Sequence, residues 1–350
     1  MMNGKKKIGI LTGGGDCPGL NAAIRAVTKA AIRDGHEVIG IQHGWKGFLD
    51  GEYNPLDRIK TSGIIDRGGT ILGTSRLSPF YVENGVDKVL SEFKRLELDA
   101  LVVLGGEGTL SATNRMSKLG MPVIGIPKTI DNDVRGTDFT IGFQTAVQIA
   151  TDALDRLRSH AESHHRVMLL EVMGRNAGWI AVYSGMANGA DAILIPEIPL
   201  DKGRLDDLCQ MLITRSKRGA TFSIVVVAEG TVLEGRTVEK VVFDKSKDSE
   251  ERLLCGVASV LEEIIARETG LETRVSSLGY VQRGGTPVAY DRSLATAFGV
   301  KAVELINAGK YGEMTALRGN RITSFPLEWV ADAIKTVNLN IYHVAEKFFG

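Results

Sequence analysis

Surplus charge, cysteine and long apolar stretches are all scarce in this 350-residue sequence. Lysine plus arginine and aspartate plus glutamate number 42 each, so no basic excess exists to neutralise a nucleic-acid backbone. Cys17, Cys209 and Cys255 are odd in number, widely spaced and free of any C-x-x-C pattern. That disfavours a disulfide framework and a zinc site alike, and the three read as reduced thiols. The longest apolar runs, such as Ala100 to Leu104 and Ile224 to Ala228, fall far short of the roughly 20 residues that span a bilayer. After Lys5-Lys6-Lys7 only a few apolar residues precede Gly13-Gly14-Gly15, too few for a secretory signal. A cytoplasmic protein with neither nucleic acid nor membrane as partner is expected. Aromatic residues, at 6%, are most simply core, and 43% hydrophobic with 24% charged content rules against disorder. The length suits two domains.

Glycine is abundant: 41 residues, about 12% against an average near 7%. The excess clusters directly after short apolar runs. Lys7 to Leu11, Glu37 to Ile41, Asp99 to Leu104, Val123 to Ile126, Arg166 to Val172, Ala192 to Ile195 and Phe222 to Ala228 read as buried parallel strands. Between them, Gly19 to Arg33, Val86 to Leu96, Thr145 to Arg158, Leu205 to Arg218, Arg252 to Glu268 and Asp291 to Asn307 have amphipathic helical patterns. Alternation of the two predicts an α/β fold with parallel sheets and right-handed crossovers. Two lobes are preferred to one sheet, because the turns before Gly142 resemble phosphate loops whereas strands after Arg166 end in other polar groups. Asp244 to Arg252 is a charge run suited to a surface insertion.

Ligands of open parallel sheets sit at the carboxyl ends of strands, which singles out three loops. Gly13-Gly14-Gly15-Asp16-Cys17-Pro18-Gly19-Leu20-Asn21 lets backbone approach an anion at a helix N-terminus. It is a phosphate loop or a structural turn. Pro18 breaks the dinucleotide fingerprint, and no G-x-x-x-x-G-K-[ST] loop occurs, which weighs against a dehydrogenase and the common nucleotide-triphosphate fold. Gly105-Gly106-Glu107-Gly108-Thr109 opens a second helix and sets a carboxylate among amides that favour anions; Glu107 suits a Mg²⁺ anchor, directly or through water. Pro127-Lys128-Thr129-Ile130-Asp131-Asn132-Asp133 crowds two carboxylates beside a cation. Asp131 is the candidate general base for phosphoryl transfer, with Asp133 as its partner or as a group behind a metal. Asp138 reads as an Asx turn. Arg166, Arg175, Arg274 and Arg283 stand near strand ends and suit forked binding of phosphate oxygens. His160, His164 and His165 look like a metal cluster after a helix but lack a fourth ligand, so loop or interface residues are the better reading.

These motifs resemble those of the 6-phosphofructokinase family. Beside the three loops, the resemblance is carried by Gly68-Gly69-Thr70-Ile71-Leu72-Gly73-Thr74-Ser75-Arg76, Glu171-Val172-Met173-Gly174-Arg175, Pro196-Glu197 and Leu278-Gly279-Tyr280-Val281-Gln282-Arg283-Gly284-Gly285, in family order. It implies two doubly wound parallel-sheet lobes with the active site in the cleft between them. A nucleotide lobe would comprise 1–142 plus about 283–332, and a sugar-phosphate lobe 143–282 plus about 333–350. It also implies a glycolytic kinase that moves the γ-phosphoryl of ATP, with Mg²⁺, to the 1-hydroxyl of D-fructose 6-phosphate. Gly14, Arg76, Leu77, Gly106, Glu107, Gly108 and Thr109 would hold the nucleotide and Glu107 the metal, while Arg76 spans both substrates. Asp131, Arg76, Arg175 and Thr129 form the implied catalytic set. Thr129, Ile130, Asp131, Arg166, Met173, Gly174, Arg175, Glu229, Arg274, Tyr280, Val281, Gln282 and Arg283 would bind the sugar phosphate. Family members draw Arg166 and Arg274 from a neighbouring subunit, implying a homo-oligomer, expected to be a tetramer.

The sequence also departs from the family pattern. Glu107 stands where many members have Asp, and Tyr280 where many bacterial members have His. Lys128 is typical of pyrophosphate users, yet Gly108 is typical of ATP users, whose rivals carry Asp there. ATP is the expected donor; a pyrophosphate enzyme and a silent sugar-phosphate sensor are the alternatives. Arg25 and Arg58 match effector-binding arginines but Lys29 replaces a third, so weak control by ADP or phosphoenolpyruvate is expected.

Overall fold

The computed structural model describes residues 4–234, 256–330 and 334–350. Cys255 and the charge run Asp244 to Arg252 lie outside the described residues. In chain order the elements are β1 (Lys7–Thr12), α1 (Leu20–Arg33), β2 (Glu37–Ile41), α2 (Lys46–Asp50), β3 (Tyr53–Leu56), α3 (Gly85–Arg95), β4 (Ala100–Gly105), α4 (Glu107–Lys118), β5 (Val123–Pro127) and α5 (Phe143–His164). There follow β6 (Val167–Val172), α6 (Trp179–Asn188), β7 (Ala192–Leu194), α7 (Lys202–Lys217), β8 (Ser223–Ala228), α8 (Val257–Thr269), β9 (Thr273–Ser277), α9 (Ala289–Asn307), β10 (Glu313–Arg318), β11 (Arg321–Pro326) and α10 (Leu339–Glu346). The chain divides into two compact units, Met1–Thr145 with Arg283–Lys335, and Ala146–Gln282 with Thr336–Gly350.

The first unit holds a seven-stranded sheet of order β11-β10-β5-β4-β1-β2-β3. Its five central strands run parallel, and the edge strands β3 and β11 are antiparallel. Of these, β1, β4 and β5 are buried along nearly their whole length, which is why they read as unbroken apolar runs. Leu101, Val103, Val123 and Met314 from the strands pack with Leu110, Met116 and Phe93 from the helices into one core. From β1 the chain winds outward to β2 and β3, then returns to β4 on the other flank of β1. That reversal opens a crevice at the carboxyl ends of β1 and β4, where ligands of such sheets sit.

The second unit repeats the plan with four parallel strands, β7-β8-β6-β9, so the expected α/β class with two parallel-dominated sheets is what the structure shows. Its core joins Leu169, Val225 and Val227 to Leu208, Leu212, Leu261 and Ile265. The direction reverses again around β6, whose neighbours are β8 and β9. Residues 336–350, which match no motif in the sequence, dock here: Tyr342 donates its hydroxyl to Ile193 O at 3.1 Å, and Val337 N–H donates to Glu197 at 2.8 Å.

Helix α5 begins and ends beyond its sequence-expected bounds. Its start is held by the buried carboxylate of Asp291, which accepts from Gly142 N–H at 3.0 Å, Thr145 N–H at 2.8 Å and the Thr145 hydroxyl at 2.6 Å. Its end runs to His164, so His160 and His164 are helical, one turn apart with ring centroids at 4.5 Å, rather than loop residues after it.

Candidate active site

In the first unit three loops that follow β1, β4 and β5 converge. Gly14 takes φ 81°, a conformation open to glycine, and its N–H donates to Ser75 O at 2.9 Å while the Thr74 hydroxyl donates to Gly14 O at 2.6 Å. The first glycine loop is thereby tied to the segment carrying Arg76, whose side chain is exposed, and Leu77, half-buried against the core. Gly13 N–H donates to Leu104 O, and Lys128 N–H to Gly105 O, both at 2.9 Å, drawing the second and third loops alongside. Thr109 fits against Gly13 and Gly105 so closely that a β-carbon on Gly105 would lie 2.3 Å from it.

Glu107 and Gly108 form the first turn of α4, where unpaired amides and the helix dipole favour an anion. Around Gly108 the space is open: a β-carbon there would meet nothing within 4 Å. Glu107 is half-buried. Among the described residues no three or more His, Cys, Asp or Glu side chains gather closely enough to hold a metal, which includes the histidines of α5. A lone carboxylate beside a phosphate loop is the donor set that Mg²⁺ accepts, with phosphate oxygens and waters completing the shell.

Lys128 is 2% exposed, and its ammonium donates to Gly13 O at 2.8 Å and Gly15 O at 2.5 Å. Burial pulls its pKa below the usual lysine range despite Asp16 and Asp131 nearby. The ammonium thus faces the carbonyls of the glycine loop. Beyond it, Asp131 N–H donates to the Thr129 hydroxyl at 3.2 Å, and Ile130 is fully buried and presents no surface to a ligand. Burial raises the Asp133 carboxyl above its ordinary pKa, opposed by Lys335 and Lys128. Asp138 is no simple Asx turn: it accepts from Gly319 N–H at 2.6 Å and so caps the β10–β11 hairpin. Cys17, buried and donating to Ile141 O at 3.3 Å, has its thiol pushed up to about 12, which keeps it inert. Arg283 also belongs to this unit, its guanidinium 3.4 Å from Asp16 O and against Gly15.

A second cluster lies at the carboxyl ends of β6, β8 and β9 in the other unit. Gly174, at φ 141°, accepts from Gly230 N–H at 3.1 Å, and Glu229 N–H donates to Val172 O at 2.8 Å. A β-carbon on Gly230 would sit 2.0 Å from Arg175 O, so two backbones touch here and leave the Arg175 side chain exposed. Tyr280 and Val281 are 78% and 65% exposed. Gln282 is fully buried instead: its oxygen accepts from Met173 N–H and its amide donates to Gly279 O, each at 3.2 Å. It braces the exposed pair against Met173 and presents nothing to a ligand.

Arg166 and Arg274 are set apart from this cluster. Arg166 precedes β6 and Arg274 is the second residue of β9, at the amino end of the sheet, about 20 Å along the strands from Met173. Both guanidiniums donate to one oxygen of Glu272, at 2.9 and 2.8 Å. Arg25 and Arg58 line, with Lys29 and Arg33, a groove of about 350 Å³ between α1 and α9. Sequence reasoning missed Glu272 and Lys335; neither lies in a motif, and only long-range contacts reveal them.

Relatives carry the same pattern. The phosphofructokinase family model matches residues 7–306. An ATP-dependent 6-phosphofructokinase of Streptomyces coelicolor is 49% identical over 341 residues, 97% of this chain and 99% of the relative. A pyrophosphate–fructose 6-phosphate 1-phosphotransferase of the same organism is 46% identical over 347 residues, 98% of this chain and all of the relative. A crystal structure of Pichia pastoris phosphofructokinase in the T-state is similar with a TM-score of 0.83 at 34% identity, covering 99% of this chain and 36% of that longer one. Similarity sustained over nearly the whole length, together with the converging glycine loops, means that this chain belongs to the phosphofructokinase family.

Proposed function

We propose that the protein transfers a phosphoryl group to the 1-hydroxyl of D-fructose 6-phosphate and that its donor is ATP. The convergence of the loops after β1, β4 and β5, the last of which bears Asp131, at the reversal point of the larger sheet carries this reading. The first unit takes the donor: Gly14, Arg76, Leu77 and Gly106 to Thr109 cradle the phosphates, and Glu107 holds Mg²⁺, which supplies charge neutralisation to the donor when bound. The second unit takes the sugar phosphate through Met173, Gly174, Arg175, Glu229, Tyr280 and Val281. Asp131 removes the proton of the 1-hydroxyl, the freed oxygen forms its bond to the γ-phosphorus, the bond to the β–γ bridging oxygen breaks, and ADP leaves with that electron pair. Arg76 and Arg175 balance the charge spread over the transferring oxygens.

Pyrophosphate is the second reading, favoured by relatives named for each donor at near-equal identity. Gly108 weighs more, because the open space beside it is room that an α-phosphate requires. Measuring kcat/KM for both donors with fructose 6-phosphate decides the matter. ATP is expected to exceed pyrophosphate; the reverse order overturns the donor, and inactivity with both overturns the reaction.

A further inference from the structure

We propose that Lys335 is a positioning residue for the catalytic base, resting on the assignment of Asp131 made above. The observation is a convergence on one side chain and its backbone. Lys335 N–H donates to Asp133 O at 2.8 Å, and its ammonium donates to Thr137 O and Asp138 O, each at 2.9 Å. Next to it, Ile334 forms an antiparallel bridge with Val134. One short segment, some 200 residues further along the chain, thus holds three carbonyls of the loop that bears the base.

The loop is braced on its other side by its own residues. Asn132, fully buried at φ 51°, turns the chain, accepts from Thr140 N–H at 3.1 Å and donates to Asp138 O at 3.3 Å. Leu317 N–H donates to the Thr137 hydroxyl at 3.0 Å, fixing the loop to β10. These contacts hold residues 137–140 to Asn132 and β10; across from them, Lys335 adds a second tie between Asp133 and Asp138. Burial works against the charge here, but the ammonium meets the converging carbonyls with charge-assisted bonds and has Asp138 and Asp133 close by to offset part of that cost. General-base catalysis depends on placing the carboxylate within about 0.5 Å of the proton's path, so loosening this brace acts on turnover rather than on binding.

The test is steady-state kinetics of K335M and K335R beside D131N, in the full-length enzyme at a temperature where thermal melts show each variant folded. K335M keeps the alkyl stem and removes only the ammonium. Its kcat is expected to fall roughly tenfold to a hundredfold with KM for fructose 6-phosphate within about twofold, and K335R to recover much of the loss. Should K335M fail to fold, the same comparison is made with K335Q. A kcat for K335M within about twofold of the parent, while D131N is crippled, overturns the role of Lys335 alone. A D131N variant with normal turnover overturns the assignment of the base and this inference with it.

Discussion

Lys128 and Gly13, 115 positions apart, are joined by an ammonium-to-carbonyl hydrogen bond of 2.8 Å, and the same ammonium reaches Gly15. The amides of Gly13 and Gly14 are engaged by Leu104 O and Ser75 O, so what the buried cation adds to the loop is positive potential from behind. The lysine therefore serves whichever phosphate donor the loop holds. K128M is expected to lower kcat/KM for ATP and for pyrophosphate by similar factors, on the order of tenfold or more, and to lower the melting temperature because two buried carbonyls lose their partner. A loss confined to pyrophosphate would show that Lys128 acts on that donor directly.

Asp131→Asn removes the proton acceptor and keeps the shape. Turnover is expected to fall by roughly two to four orders of magnitude with little change in KM for the sugar phosphate. Near-normal turnover would move the base elsewhere, with Asp133 as the next carboxylate to replace.

How far this was legible in the sequence depended on burial. The strands Lys7–Thr12, Glu37–Ile41 and Val123–Pro127 were located to within a residue, because strands buried on both faces are uninterrupted apolar runs between glycine turns. Tyr53–Leu56 contains Asn54 and Pro55 on an edge, and Arg321–Pro326 is half-exposed, so neither has that signature. Thr273–Ser277 is buried at one residue only and reads as a polar loop. Helix Trp179–Asn188 was missed because it is apolar nearly all round and shows no amphipathic period. The glycine loops were found because close backbone approach demands their residue types. The inward aim of Lys128, the burial of Gln282 and the reach of Lys335 are tertiary facts with no local pattern.

Assembly follows from where two arginines lie. Arg166 and Arg274 sit about 20 Å along the strands from Met173 and Arg175, at the opposite end of the small sheet. If they bind the sugar phosphate, they bind it in another copy. The protein is expected to be a homo-oligomer, with a dihedral tetramer as the proposed state, and R166A is expected to raise KM for fructose 6-phosphate. Light scattering at assay concentration checks the first; a fully active monomer would defeat it.

The pH dependence of stability carries a signature of Lys335. Burial lowers its pKa from 10.5 to about 8. Between those values the folded chain holds fewer protons at this site than the unfolded chain, so stability rises with pH across the window and the burial penalty is fully present below it. K335M lacks the group, and its stability relative to the parent is expected to fall as pH climbs from 8 toward 10.5. Denaturant titrations of both chains at three pH values through that range measure the difference, in which all other groups, Lys128 included, cancel. Parallel curves would mean that the buried ammonium keeps its ordinary affinity for the proton.

Gly108 offers the sharpest test of the donor. It is exposed in the first turn of α4, and an added β-carbon meets no atom within 4 Å, so the fold has no objection to a larger residue there. Aspartate at this place should even favour the helix: it replaces a flexible glycine, worth about 0.3 kcal/mol, and sets a negative charge at the positive end of the dipole, worth about 0.3–1 kcal/mol. Any loss of ATP use in Gly108→Asp would then arise from the side chain occupying, and repelling, the space of the α-phosphate rather than from a damaged site. The expected result is an unchanged or higher melting temperature, a fall in kcat/KM for ATP of a hundredfold or so, about 2.7 kcal/mol, and no comparable fall for pyrophosphate, which has no α-phosphate to place. If ATP use survives the substitution, the open space beside Gly108 is not where the donor lies, and the case for ATP must rest on the direct comparison of donors alone.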